Sequence, residues 1–190
     1  MLNPNFKLYS EYYDLLYSDK HYDHEVEYIV ELIKSIHPKA QNVLEFGSGT
    51  GKHGKYLLER GFGVVGVEIS EEMVNIARNI NGFNCLNDDI RTVRLDKKFD
   101  VVLALFHVLS YQTTNASVNA VFENASRHLN HNGIFIFDFW YTPAVYTQKP
   151  ETRIKRQSND VIEIIRLAEP INFQSENRVD VNYTVFVKQK

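Results

Sequence analysis

Five short apolar runs alternate with stretches of helical period along most of this chain, and no other feature constrains its fold as tightly. The runs are NVLEF (residues 42–46), GVVGVEI (63–69), FNCLNDDI (83–90), FDVVLALFHVL (99–109) and GIFIFDFW (133–140). Between them lie a helix over residues 54–61 closed by Gly61, and a second over 71–80 with Ser70 as its N-cap and Asn81-Gly82 as its end. A third spans 116–130, with Val118, Val121, Phe122, Ala125 and Leu129 on one face and Asn132-Gly133 closing it. Upstream, HYDHEVEYIVELIKSIHPKA repeats Val26, Ile29, Val30, Ile33 and Ile36 at helical spacing, with Asp23 as a candidate N-cap and Pro38 as a stop. Short apolar strands interleaved with amphipathic helices need a parallel sheet covered on both faces. Right-handed crossovers then predict a doubly wound, Rossmann-like α/β fold whose ligands sit at the carboxyl ends of the strands.

The pattern changes after Pro143. VIEIIRLAE and RVDVNYTVFV carry partial two-residue alternation and predict an antiparallel hairpin, with PINFQSEN as the connection. The basic run Arg153, Lys155 and Arg156 reads as a solvated strand or loop.

Composition narrows the function classes. At 190 residues the chain has room for one ordinary domain. A net charge of −3 provides no global basic field for nucleic acid. The single cysteine, Cys85, lies in an apolar run and reads as a buried structural thiol; it excludes an internal disulfide and a cysteine-rich zinc site. The absence of a charged-then-apolar leader and of a long apolar run points to a cytoplasmic protein that does not engage membranes. HYDH, His21 to His24, reads as a solvated helix start, and no residue is expected to bind metal.

The most informative stretch is VLEFGSGTGKHG, residues 43–54, where the first strand meets the first crossover helix. Gly47, Gly49 and Gly51 allow backbone angles closed to other residues and let a ligand lie against the main chain. The helix that follows starts near Lys52 and turns its free N–H groups toward that ligand. A phosphate loop needs a different spacing followed by Lys-Ser/Thr, and a nicotinamide loop needs Gly-x-Gly-x-x-Gly. Neither pattern is present. Glu68, at the end of the second strand and 19 residues beyond Gly49, can accept both hydroxyls of a ribose. Together they imply a nucleoside.

VLEFGSGTGKHG, GVEISEEMVNIAR, NDDI and FDVVLALFHVLSY resemble, in order and spacing, the motifs of class I S-adenosylmethionine-dependent methyltransferases, over roughly residues 9–143. The resemblance implies that Glu45, Gly47, Ser48, Gly49, Thr50 and Gly51 hold the methionine half of the cofactor. It gives the ribose to Glu68, a face of the adenine to Ile69, and the adenine amine to Asp89, with Asp88 as its neighbouring candidate. The Ile90 N–H would reach a ring nitrogen, and Leu105 and Phe106 would close over the ligand. A finer similarity, carried by YYDLLY, the Gly-Thr-Gly-x-His of residues 49–53, LFHVLSY and DFWYTP, is to amino-sugar N,N-dimethyltransferases and glycine-methylating relatives.

That similarity implies methyl transfer to a small amine. The candidate catalytic residues are His107, Tyr111 and Tyr13, and the candidate acceptor contacts are Tyr9, Tyr17 and Trp140. His107 either orients or deprotonates the acceptor or is a hydrogen-bonded structural histidine, and His53 reads as a capping residue. The expected organisation is one methyltransferase domain over 1–190: a helical lid (1–40), a cofactor-binding core (41–143) and a β insertion (144–190). The family's sheet has seven strands, so the last ones are expected to be missing, either through C-terminal truncation or because the hairpin substitutes for them; truncation would leave an exposed strand edge that invites homodimerisation through the C-terminal β region. A module that binds the cofactor without catalysing, and a nicotinamide-dependent oxidoreductase, are the alternatives.

Overall fold

The computed structural model describes residues 12–190, which divide into two compact units; the first contains His21–Phe139 and the second contains residues 12–20 with Trp140–Lys190.

In the first unit, α1 (Tyr22–Ile36) precedes β1 (Asn42–Phe46), α2 (Lys52–Glu59), β2 (Gly63–Glu68), α3 (Glu71–Ala77), β3 (Asn84–Asn87), β4 (Phe99–Ala104), α4 (Asn115–His128) and β5 (Leu129–Phe137). The strands form one parallel sheet in the order β3-β2-β1-β4-β5. β1 pairs with β2 on one side and β4 on the other, so the strand order reverses beside it and opens a crevice at the carboxyl ends of β1 and β4.

Alternation along each strand builds two cores. Val43, Val101 and Leu103 face one side and pack with Val26, Ile33, Leu57, Val74 and Phe83. Leu44, Phe46, Val102 and Ala104 face the other and pack with Val121 and Ala125 of α4. The same alternation turns Glu45 toward the face of Val43, which α1 and α2 cover. α1 is therefore part of this core.

Several boundaries differ from expectation. The fourth strand stops at Ala104, because Phe106 and His107 both adopt positive φ (63° and 65°) and turn the chain into a short 3₁₀ segment, Val108–Tyr111. α4 ends at His128 rather than at Asn132-Gly133, which lie inside β5. There Asn132, at φ 62°, belongs to a bulge where the β4–β5 register slips from Phe99↔Leu129 to Val101↔Ile134. Phe122 is exposed on α4, and its ring stands edge-on to Phe135 and Phe137.

The second unit contains the expected antiparallel hairpin and adds a third strand to it. After α5 (Thr142–Gln148), the strands β6 (Arg153–Ser158), β7 (Ile162–Phe173) and β8 (Arg178–Gln189) form a three-stranded antiparallel sheet in that order. The first half of PINFQSEN, Pro170 to Phe173, continues β7, and the turn is confined to Gln174–Glu176 and Asn177. Pro170 is tolerated in the strand because it lies beyond the residues that pair with β6, so one side of β7 needs no N–H there. Among the described residues no helix is long and apolar enough to cross a membrane.

Candidate functional site

At the end of β1 the chain folds back on β2. The N–H groups of Gly47 and Ser48 donate to the Val67 carbonyl at 2.8 and 3.2 Å, and Gly51 N–H donates to Ser48 O at 2.9 Å. The three loop glycines serve different ends. A side-chain carbon on Gly47 would lie 2.4 Å from Val108 Cγ2, and one on Gly51 would lie 2.9 Å from both Ile80 and Phe83. One on Gly49 would meet nothing nearer than Met73 Sδ at 3.9 Å. Only Gly49 therefore keeps a face of the main chain open, with φ at +55°. Ser48 and Thr50 are buried, and the Ser48 hydroxyl lies 3.4 Å from the Cys85 thiol, itself buried.

Glu68 ties this loop to the next helix. Gly49 N–H donates to its Oε2 and Ser70 N–H to its Oε1, each at 2.9 Å. Burial pushes its pKa up, against the backbone hydrogen bonds that favour the charge. Each carboxylate oxygen can accept a further hydrogen bond. Ser70 also caps α3 by accepting from Met73 N–H. Beside it Ile69, although aliphatic, is 47% exposed, an apolar surface next to a carboxylate. The Asn87 amide donates to the carbonyls of both Glu68 and Ile69 at 3.0 Å and so fixes the strand end.

The two acids after β3 differ in their commitments. Asp89 is gripped by the Arg91 guanidinium and by Arg91 N–H (2.8 Å), and the Arg91 contact holds its carboxyl below the usual range. Asp88 is exposed and accepts from Asp89 N–H at 2.7 Å. Ile90 is buried, and its carbonyl accepts from the Asn124 amide.

Beneath the loop lies a buried cluster of charge. His53, in the first turn of α2, places Nε2 at 2.9 Å from Glu25 Oε2 and Nδ1 at 3.5 Å from Glu45 Oε1. Burial opposes its charge, but the hydrogen bonds to Glu25 and Glu45 and their negative charges prevail and raise its pKa to about 9. Because the ordinary histidine value is 6.5, folding takes up a proton between the two. The stabilisation is complete below pH 6.5 and is lost as pH rises through 9. With Glu25 half-exposed and partly screened, it amounts to about 2 kcal/mol. Urea unfolding at pH 6 and pH 9.5 should show that loss in the wild type and little of it in His53→Gln.

At the end of β4, Leu105 packs against the first core. Phe106 and His107 occupy the left-handed region, which costs non-glycine residues about 1–3 kcal/mol each. Asp138, just past β5, holds the turn: His107 N–H donates to its Oδ1 at 2.7 Å, and His107 Nδ1 lies 3.9 Å from its Oδ2. Tyr111 closes the 3₁₀ segment and is 73% exposed. Asp138→Ala should relax the turn and destabilise the fold by about 1–2 kcal/mol, read as a lowered urea midpoint at unchanged slope.

In the second unit, Tyr13 and Tyr17 rings lie 4.7 Å apart. Tyr17 OH accepts from Arg166 Nη1 at 2.9 Å, and the guanidinium lies over the rings of both Tyr17 and Tyr183. Lys155 sits over Tyr17 and pairs with Asp19 at 2.6 Å, so part of the basic run is paired. Trp140 belongs to this unit and is 39% exposed. Tyr9 lies outside the described residues. Among the described residues one trio, His21, Asp23 and His24, brings potential metal-ligand atoms within 4.8 Å of one another, at an exposed helix start.

Residues 43–133, which span the glycine loop, Glu68 and β4, match the family described as "Methyltransferase domain". Over these residues the chain is similar to methyltransferase domains. A Streptomyces venezuelae relative named dTDP-3-amino-3,4,6-trideoxy-alpha-D-glucopyranose N,N-dimethyltransferase is 26% identical over 182 residues, covering 93% of this chain and 76% of the relative. The dTDP-3-amino-3,6-dideoxy-alpha-D-glucopyranose N,N-dimethyltransferase of Streptomyces fradiae is 29% identical, over 73% of this chain and 55% of its own. The chain thus spans only part of each. Among solved structures, Streptomyces venezuelae DesVI superposes with a TM-score of 0.78 at 23% identity, covering 94% of this chain and 82% of that one. The sugar N-methyltransferase KedS8 from Streptoalloteichus gives 0.79 at 22%, covering 93% and 77%. These likenesses establish the fold.

The methyl donor of this methyltransferase domain is S-adenosylmethionine, and the residues present fit it. Gly49 leaves open backbone, Glu68 has acceptor capacity on both oxygens, and Ile69 offers an exposed apolar face. Glu45 Oε2 is buried without a hydrogen-bond partner, as an acid awaiting a donor would be. The sequence reading missed Asn87, Asp138 and Glu25. Asn87 had a signal, an amide at a strand end beside two acids; Glu25 and Asp138 are joined to the site only by the fold.

Proposed function

We propose that this methyltransferase domain methylates an amine nitrogen of a small molecule, of the amino-sugar class. The observation that carries the donor half is Glu68, whose carboxylate is clamped between Gly49 N–H and Ser70 N–H beside an exposed Ile69. The names of the relatives carry the acceptor half.

When bound, S-adenosylmethionine supplies a sulfonium methyl group for in-line displacement, and the protein contributes alignment and exclusion of water. In this reading Glu68 accepts the ribose hydroxyls and Ile69 covers the adenine. Glu45 and the loop of Gly47, Ser48, Gly49, Thr50 and Gly51 receive the methionine half. Asp88 suits the adenine amine better than Asp89, whose oxygens serve Arg91. Ile90 N–H, Leu105 and Phe106 complete the donor side.

The acceptor amine must reach the methyl group unprotonated, and its proton leaves to water or to a nearby base. His107 is the candidate for holding that proton, since Asp138 fixes its backbone and borders its ring. Tyr111 is a candidate for orienting the amine. We place the reaction in the cytoplasm, in one domain whose core is residues 41–143, without nucleic acid or membrane.

Mass-spectrometric screening of nucleotide-linked amino sugars and glycine-like amines tests this. The expected result is mono- and dimethylation of an amino sugar. Binding of S-adenosylmethionine with transfer to no amine would favour a non-catalytic binding module instead.

A further inference from the structure

In the cluster of His53, Glu25 and Glu45, the donor-binding roles account for Glu45 and leave His53 unexplained. The groups facing His53 among the described residues are Glu25 and Tyr22 from α1 and Glu45 from β1, the Tyr22 ring standing edge-on at 5.0 Å. Two carboxylates thus share one imidazole. Glu25 is half-exposed, whereas Glu45 is 1% exposed and, among the described residues, its Oε2 has no hydrogen-bond partner. A buried carboxylate in that condition is costly until a cation or donor reaches it.

We infer that His53 is a positioning residue that anchors Glu45 through Oε1 and leaves Oε2 for the ammonium group of the donor's amino-acid half. The imidazolium ring engages the Glu45 carboxylate from one side, through Oε1. The site thereby selects nucleosides that carry an amino group over those that do not. This inference rests on the donor reading above. It differs from simple bracing of α1 against α2, which would support every ligand of the loop equally.

The test compares two ligands by calorimetry at pH 7: S-adenosylhomocysteine, which has the amino-acid half, and 5′-methylthioadenosine, which lacks it. His53→Gln is expected to weaken the first about tenfold, the value of one charge-assisted contact, and the second less than twofold. Equal weakening of both, or weakening of neither, would overturn the inference while leaving the donor reading intact. A wild-type chain that binds neither ligand would overturn both.

A second measurement needs no substitution. In the wild-type chain, the NMR titration midpoint of the His53 ring, near 9 without ligand, should fall by roughly half a pH unit or more with S-adenosylhomocysteine, because a second cation competes for Glu45. It should stay in place with 5′-methylthioadenosine. A midpoint that moves alike with both ligands would overturn the proposal even if the variant failed to fold.

Discussion

Glu68→Ala should lower the affinity for S-adenosylhomocysteine by about a hundredfold, because one side chain does two jobs. A bidentate charged contact to ribose hydroxyls is worth about 1.5–3 kcal/mol. The same carboxylate accepts from Gly49 N–H and Ser70 N–H, so its loss also frees the one loop glycine with an open face and the residue that caps α3. Ser70 is buried, and its N–H would be left without an acceptor. Glu68→Gln retains one acceptor oxygen and should fall between. Calorimetry reads both. Affinity within threefold of the wild type in Glu68→Ala would sink the ribose assignment. A pH profile separates the charge from the scaffold. Burial raises the Glu68 pKa, whereas hydroxyl donors favour its charged form. Affinity in the wild type should therefore climb as pH rises through that pKa and then level off, while Glu68→Gln should be flat over the same range.

The parallel sheet was legible because its central strands are buried on both faces, so runs such as Val101 to Ala104 announce themselves without a partner. Glu68 was legible for a related reason: the crossover helix sets the distance between the first two strand ends. Features made by contact between distant segments were not. Phe106 and His107 sit at positive φ although nothing in LFHVL suggests it; Asp138, about thirty residues on, holds them there through a backbone N–H. The strand Arg153–Ser158 was hidden by its polarity, since it is exposed along most of its length and earns its place only by pairing with Ile162–Phe173. Arg91's hold on Asp89 is likewise invisible in NDDI, and it turns attention to Asp88.

The glycines of the site make the sharpest case, and they lead to the largest expected effect on stability. Spacing suggested that all three loop glycines serve a ligand, yet Gly51, Gly54 and Gly66 converge on one ring. Side-chain carbons there would lie 2.9, 2.3 and 2.7 Å from Phe83 atoms. Phe83 is buried between the loop, α2 and β2, and fills the space the glycines leave. Phe83→Ala should cost about 3–5 kcal/mol, lowering the melting temperature by roughly 10 °C. Gly54→Ala is the more discriminating change. Alanine is better than glycine inside a helix by about 0.8–1 kcal/mol, so on propensity alone this variant would gain stability. The ring cannot withdraw without pressing on Gly51 or Gly66, so overpacking of about 1–3 kcal/mol should decide the sign and make it destabilising. Combining Gly54→Ala with Phe83→Leu should recover part of the loss, and the double-mutant cycle should show favourable coupling. If Gly54→Ala instead raises the melting temperature, Phe83 is free to move and does not hold the glycine loop against β2.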